Sequence, residues 1–296
     1  MKMYLTVMTP TYNRQGLLRR LYDSLCSQSC HNFEWLIVDD GSTDETKEIV
    51  NSWIEEKQIR IRYIYQANSG KAAAFNTGIK NAEGELLFCV DSDDYLSDTA
   101  VADIAACEGD IEDKSICGIL ALKSDINGKL LGGPLPEQEN YLSSFELSEK
   151  HGYNGEWSLI YKTEILKHNI FPIIRGEKFI TECVVYDRIA QEYRMRLLNK
   201  VLTVCEYQEN GYTGNLITNM LNNPTGYKIY YAQRIDMAYT WKARIGYIIR
   251  YNVFSQLSPD KNYNYTGKYR LFVKLLWFAG ILGRLYYRRL ERNEKA

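Results

Sequence analysis

Over its first 125 residues the chain alternates between two hydrophobic periodicities. Short apolar runs at residues 4–9, 33–38, 59–65, 85–90 and 116–122 have the length and unbroken character of strands buried on both faces. Between them apolar residues recur three and four apart, as with Leu17, Leu18, Leu21 and Leu25 in residues 16–27, the spacing of one buried helix face. Further helices are expected at 43–55, capped by Ser42 or Thr43 with acids in the first turn, at 71–81 and at 98–107. Strands alternating with helices define an α/β domain on a mostly parallel sheet with right-handed crossovers and helices on both faces. From about residue 125 to 141 the pattern fades into a loop containing Gly and Pro. Helical spacing returns at 163–167 and more strongly at 179–193, and a strand-like run follows at 196–206. Beyond Thr213 the chain is helical and rich in tyrosine.

In such a sheet ligands lie outside the carboxyl ends of the strands, and three of those ends carry polar chemistry. The first is Thr9-Pro10-Thr11-Tyr12-Asn13-Arg14, where a proline and small polar residues lead the backbone off the sheet and present donors and an aromatic face. A plain turn has the same composition. The second is Asp39-Asp40-Gly41-Ser42-Thr43-Asp44. A helix cap explains Ser42, Thr43 and Asp44. It does not explain two adjacent carboxylates directly after an apolar strand, which repel each other and are costly to bury without a compensating partner. A carboxylate there can accept an N–H from a base.

The third is Asp91-Ser92-Asp93-Asp94. Apart from a solvated acidic turn, three carboxylates in four residues at the end of a buried strand require a cation, and hard oxygen ligands select Mg²⁺ or Mn²⁺. Mg²⁺ is held by one or two carboxylates together with substrate phosphates, so this cluster implies a diphosphate as well. Between the second and third ends runs Asn68-Ser69-Gly70-Lys71-Ala72-Ala73-Ala74-Phe75-Asn76-Thr77-Gly78. Gly70 permits a sharp entry, the alanines permit close packing under a ligand, and Lys71 is either a phosphate partner or a solvated lysine.

Composition adds limits. The 296 residues are 45% apolar with a net charge of −1, which fits a soluble protein with a core and points to no nucleic-acid partner. The charge is uneven: residues 267–296 carry eight basic and two acidic residues, +6, leaving −7 on the rest. Seven cysteines with no Cys-x-x-Cys pair, and no secretory leader in the first residues, fit a reducing cytoplasm with free thiols as small apolar groups. No Gly-x-x-x-x-Gly-Lys loop is present, which argues against kinases and ATPases.

Taken in order, the segments 9–14, 38–44, 68–78 and 90–94 resemble the family 2 glycosyltransferases of the GT-A fold, firmly over residues 1 to about 125 and more loosely to about 215. The resemblance implies a nucleotide-sugar-binding half at 1–125, an acceptor-binding half at 126–215 and a C-terminal helical extension at 216–296. It implies that Pro10, Tyr12 and Asp40 contact the nucleoside, with Asp40 reading the base. Asp91 would lie near the ribose or the metal, and Asp93 would ligate the metal. Thr9, Asn13, Lys71 and Ser92 complete the expected donor-binding set. The reaction implied is inverting transfer from a nucleotide diphosphate donor, commonly a UDP-sugar, to a hydroxyl of a glycan or lipid-linked glycan.

Inversion requires a carboxylate to take the acceptor's proton. The family's Glu-Asp pair matches Glu182-Cys183 here, so the aspartate is replaced. Glu182 is the expected base. Asp187 is expected to be a surface or structural acid, and a thiol with an ordinary pKa of about 8.5 suits the role poorly. The replacement also admits a nucleotide-sugar-binding protein that has lost catalysis, and a nucleotidyltransferase on a similar sheet is a further alternative. Trp157 and Tyr212 are candidates to stack on a sugar, and residues 205–215 resemble a later loop of related bacterial enzymes. Residues 271–283 are apolar apart from Lys274 and too short to cross a bilayer. With flanking basic and aromatic residues, the segment is expected either to lie on the anionic inner face of the cell membrane or to dock on the catalytic domain with a basic outer face. The tyrosine-rich stretch before it is its platform or a homodimer surface.

Overall fold

The computed structural model describes residues 4–153, 155–206, 216–260 and 262–294. The chain divides into two compact units, one of residues 1–170 and 192–207, the other of residues 171–191 and 208–296. In chain order the first contains β1 (Leu5–Thr11), α1 (Leu18–Cys26), β2 (Phe33–Asp39), α2 (Thr46–Glu56), β3 (Ile61–Tyr65), α3 (Lys71–Asn81), β4 (Leu86–Cys89), β5 (Tyr95–Leu96), α4 (Ala100–Ala105), α5 (Glu108–Ile111), β6 (Ile116–Asp125), β7 (Tyr141–Leu142), α6 (Ser144–Glu149), β8 (Trp157–Lys162) and α7 (Thr163–His168). The second contributes α8 (Cys183–Ile189), after which the chain returns to the first unit as β9 (Arg194–Cys205). It then forms α9 (Leu216–Asn222), α10 (Pro224–Met237), α11 (Trp241–Leu257), α12 (Arg270–Leu275) and α13 (Trp277–Glu294) of the second unit.

The first unit is one sheet in the order β3-β2-β1-β4-β8-β6-β9-β5, with β7 also paired to β9. Strands β3, β2, β1, β4, β6 and β9 run one way and β8, β5 and β7 run against them, so the sheet is mostly parallel. Alternation along the strands sends side chains to both faces. Leu5 and Val7 of β1 and Trp35 and Ile37 of β2 join Leu18, Leu21, Val50 and Trp53 of α1 and α2 in one apolar cluster. On the other face Met8 meets α3 so closely that a Cβ on Gly78 would lie 2.6 Å from its Cγ.

Several elements differ from the sequence expectation, α2, α8 and β8 among them. Helix α2 begins at Thr46 rather than Thr43, without a side-chain cap. The donors a cap would satisfy are taken by the loop after β1: Thr43 N donates to Asn13 Oδ1 at 2.8 Å and Glu45 N to Gln15 Oε1 at 2.6 Å. Helix α8 covers 183–189 of the expected 179–193. The preceding residues instead serve the start of α10, where Glu177 accepts from Thr225 N at 2.7 Å and Gly226 N at 2.9 Å, and Phe179 N donates to Asn223 Oδ1 at 3.1 Å. Strand β8 was not anticipated. One of its buried positions is Ser158, whose hydroxyl lies 2.7 Å from that of Thr203, a partner that local periodicity cannot announce.

The second unit is a helical cluster. Tyr227, Tyr231, Tyr247 and Tyr251 are buried in its core with Ile235, Ile248 and Phe254, whereas Tyr239 is exposed. The tyrosine-rich stretch is therefore a core and the platform on which α13 packs. The tail is two helices meeting at Leu276, and no described helix is long and apolar enough to cross a membrane.

Candidate functional site

Strand β1 has β2 on one side and β4 on the other, in register from Leu5 against Phe33 and Leu86. Their following loops leave the same edge of the sheet and diverge on either side of β1, the topological switch point where open α/β sheets take ligands. The loops after β1 and β2 are clasped to each other. Asn13 holds a positive φ of 52°, its N–H donating to Ser42 Oγ at 2.8 Å while its Oδ1 receives Thr43 N. Gly41, at φ 89°, lies where a Cβ would fall 2.9 Å from Asn68 N, so the turn after the two aspartates tolerates no side chain.

Both aspartates of that turn are buried and hydrogen-bonded. Asp39 accepts from Ser42 N at 2.7 Å and from the Tyr63 hydroxyl at 2.5 Å. Burial and this carboxylate push the Tyr63 phenol well up. Asp40 accepts from Gln66 Nε2 at 2.7 Å, Ser69 N at 2.9 Å and Gly70 N at 2.7 Å. It thereby holds the turn that launches α3, where Gly70 takes φ 92°. Three of the roughly four acceptor positions of a carboxylate are used.

Asp91, Asp93 and Asp94 each face their own cation. Lys71 Nζ lies 2.8 Å from Asp91 Oδ1 and 3.1 Å from Oδ2. Arg14 Nη1 lies 3.6 Å from Asp93 Oδ2, and Lys123 Nζ 3.2 Å from Asp94 Oδ2. Burial works against the Asp91 charge, but Lys71, Lys123 and Arg14 outweigh it and hold the carboxyl below the usual carboxylate range. Asp94 goes the other way: burial, with Asp91 and Asp93 nearby, raises it despite Lys123. Lys123, although burial opposes its charge, is raised by Asp94, Cys205 and Asp91. Each carboxylate of the turn thus has a side-chain cation beside it.

The side chains of Asp91 and Asp93 are 42% and 26% exposed, whereas that of Asp94 is 9%. Among the described residues no three His, Cys, Asp or Glu side chains converge into a cage. The Asp91 and Asp93 oxygens do suit a hard divalent ion held by two carboxylates and completed by phosphate.

Among the other expected donor-site residues, Tyr12 and Asn13 are exposed at this edge, Pro10 is buried beneath it, and Ser92 is buried between Asp91 and Asp93. Thr9 lies deeper than these residues. It is fully buried with its hydroxyl accepting from Trp35 Nε1 at 3.0 Å, because it sits two residues before the end of β1 and braces the core from below. Two residues further on, at the end of β1, the buried hydroxyl of Thr11 has no hydrogen-bond partner among the described residues. Lys123 was missed from sequence, although a lone lysine ending the run Leu120-Ala121-Leu122 signals a buried acidic partner. Arg14, quoted within its motif but given no role, is the countercharge of Asp93.

Glu182 belongs to the second unit, half-buried at the N-terminal boundary of α8, where Tyr186 Oη donates to its Oε2 at 3.3 Å. Burial and Asp187 push the Cys183 thiol up to about 11 despite Arg234, so the thiol is protonated at neutral pH and takes no proton from a hydroxyl. Asp187 is a structural acid: it is buried and accepts from Arg234 Nε at 2.7 Å and Nη2 at 3.1 Å. Trp157 is half-buried with Nε1 unpartnered. Tyr212, with the rest of residues 207–215, lies outside the described residues.

A mostly parallel sheet with an acidic turn at its switch point and a C-terminal helical extension is the GT-A fold. Residues 6–132, a little under half of the chain, match the family model described as Glycosyl transferase family 2. Glycosyltransferase GlyA of Streptococcus pneumoniae is 44% identical over 92 residues, 31% of this chain and 13% of that protein. Poly(ribitol-phosphate) beta-N-acetylglucosaminyltransferase TarS of Staphylococcus aureus is 31% identical over 171 residues, 56% of this chain and 29% of that protein. The chain therefore spans less than a third of either relative. The crystal structure of S. aureus TarS 1-349 in complex with UDP-GlcNAc aligns at TM-score 0.59 and 20% identity, covering 99% of this chain and 92% of that one. Mannosyltransferase PcManGT from Pyrobaculum calidifontis, in complex with GDP-Man and Mn²⁺, aligns at TM-score 0.56 and 19% identity, covering 98% and 84%.

Proposed function

We propose that the chain is an inverting, divalent-cation-dependent glycosyltransferase that moves a sugar from a UDP-sugar to a hydroxyl of a glycan or lipid-linked glycan. The observation that carries this reading is the Asp91–Asp94 turn at the switch point, with Arg14, Lys71 and Lys123 arranged around it. TarS, named for N-acetylglucosamine transfer and crystallised with UDP-GlcNAc, supports a UDP donor, and PcManGT, crystallised with Mn²⁺, supports a divalent ion.

In this reading residues 1–125 bind the donor and 126–215 the acceptor. Tyr12 covers the nucleoside, and Asp40 uses its remaining acceptor position on the base while its other bonds hold the α3 turn. The partnerless Thr11 hydroxyl gains a ligand partner. Asp93 and Asp91 hold Mg²⁺ or Mn²⁺, which when bound would neutralise charge on the departing diphosphate. Lys71 and Arg14 are then available to the phosphates. Glu182 takes the proton from the acceptor hydroxyl. Seven free cysteines accord with a reducing compartment, the cytoplasm or the inner face of the cell membrane.

A second reading, donor binding without transfer, is favoured by the protonated Cys183 at the family's aspartate position. The deciding experiment is a panel of nucleotide-sugars tested for thermal stabilisation with and without Mn²⁺, followed by product analysis. Transfer releases UDP, a nucleotidyltransferase releases pyrophosphate, and a binding protein releases neither. Asp93→Ala should abolish the Mn²⁺-dependent part of the stabilisation. If it leaves UDP and Mn²⁺ affinity unchanged, the donor site lies elsewhere.

A further inference from the structure

We infer that the outward face of α12 and α13 is a docking surface for an anionic lipid bilayer. The inward side of these helices is spent on α11. A Cβ on Gly280 would fall 2.7 Å from Asn252 Cβ, and one on Gly283 would fall 2.6 Å from Val253 Cγ2. The Tyr287 and Phe254 rings meet edge to face at 5.4 Å, and Asn252 Nδ2 donates to the Val273 carbonyl at 2.9 Å.

The opposite side keeps its apolar groups in solvent. Leu271, Leu275, Phe278 and Leu282 are 67%, 75%, 77% and 70% exposed. Their four-residue spacing places Leu271 and Leu275 on one face of α12, and Phe278 and Leu282, with Leu285, on one face of α13. Side chains of this size are seldom left contiguous on a soluble surface without a partner. The tail thus packs on α11 of its own unit and keeps a free apolar face.

Charge selects the partner. Lys274, Arg288, Arg289 and Arg292 share the exposed side, and none has a carboxylate partner among the described residues. The two acids of the segment are withdrawn. Glu294 accepts from Ile217 N at 3.0 Å and Thr218 N at 2.8 Å of the same unit, and Glu291 is half-buried. Among the described residues the face is thus apolar and cationic, with no acid among its exposed side chains, and exposed Trp277 and Tyr286 add the aromatic groups that favour a headgroup region. A second copy could use the same face as a seam, but its pairing would set cations against cations with no acid to relieve them. Anionic headgroups supply the missing countercharge. With no described helix fit to cross a membrane, the segment would lie in the surface plane.

The test is co-sedimentation of the full chain with phosphatidylcholine vesicles, with and without phosphatidylglycerol, at low salt and without donor. We expect binding only to the anionic vesicles, weakened by added salt. The double change Leu275→Glu, Phe278→Glu should abolish it, and each of Arg288→Ala and Arg289→Ala should weaken it about fivefold. All four side chains are exposed, so melting temperature and UDP binding should stay as in the unaltered chain, and failure here is separable from failure of the donor reading. The inference is overturned by no binding to anionic vesicles, or by binding that both sets of variants leave intact. It is equally overturned by a concentration-dependent dimer that the double change dissociates while vesicles are ignored.

Discussion

Nζ of Lys71 lies within 3.1 Å of both oxygens of Asp91, so the first residue of α3 and the acidic turn after β4 share one charge pair at the edge where the loops after β1, β2 and β4 leave the sheet. The pair is partly exposed and contributes under about 1 kcal/mol to stability. Lys71→Ala should therefore leave the urea midpoint nearly unchanged while weakening UDP about tenfold, as calorimetric titration would show. Equal UDP affinity in the variant would remove Lys71 from the donor site.

Glu182 and Cys183 are neighbours with opposite expected outcomes. Glu182→Gln should lower turnover by about 10²- to 10⁴-fold, the usual weight of a general base, and keep donor affinity. Cys183→Ala should change turnover by no more than about threefold, because a thiol pushed up to about 11 is neutral throughout the working range. Steady-state rates of the two variants across neutral to alkaline pH settle the assignment. A large loss in Cys183→Ala alone would reverse it.

Asp187 and Arg234 form a doubly hydrogen-bonded pair inside the second unit, with Arg234 also 4.6 Å from the Tyr230 ring centroid. Removing one partner strands a buried charge, so Asp187→Ala should cost about 3–5 kcal/mol. Urea unfolding measures this directly. A cost below about 1 kcal/mol would mean that the pair is hydrated.

Asp44 sets a pH dependence. Burial opposes its charge, but the Thr46 hydroxyl and the Gln15 and Thr46 amides outweigh it and lower the carboxyl from its ordinary 3.8. The stabilisation is present above the unfolded value and is lost as pH falls through the depressed folded value. Asp44→Asn should lower the unfolding free energy at pH 7, read from urea titration, by on the order of 1 kcal/mol for hydrogen bonds to a half-exposed charge. The gap should close in strong acid. A gap that persists there would assign the effect to shape rather than charge.

Much of the first 125 residues was legible in the chain itself. The strands β1 to β4 and β6 announce themselves by apolar runs, and Asp91 to Asp94 by three carboxylates after one of them. Both are local signals. Asp40 was legible as a residue whose burial needed an explanation, but not as the acceptor of three donors from residues 66–70. Thr9 read like its motif neighbours, and only the position of Trp35 shows that its hydroxyl faces inward.

By itself the sequence determined the alternation of strands and helices, the acidic turn and the basic tail, because periodicity and charge reside in neighbouring residues. The tertiary structure alone decided the placing of β8 between β4 and β6, and which cation answers which carboxylate. It also decided which side of α12 and α13 is buried. Lys71 and Asp91 are 20 positions apart, Lys123 and Asp94 29. Such pairings are set by strand order and packing, and no local pattern of hydrophobic and polar residues encodes them.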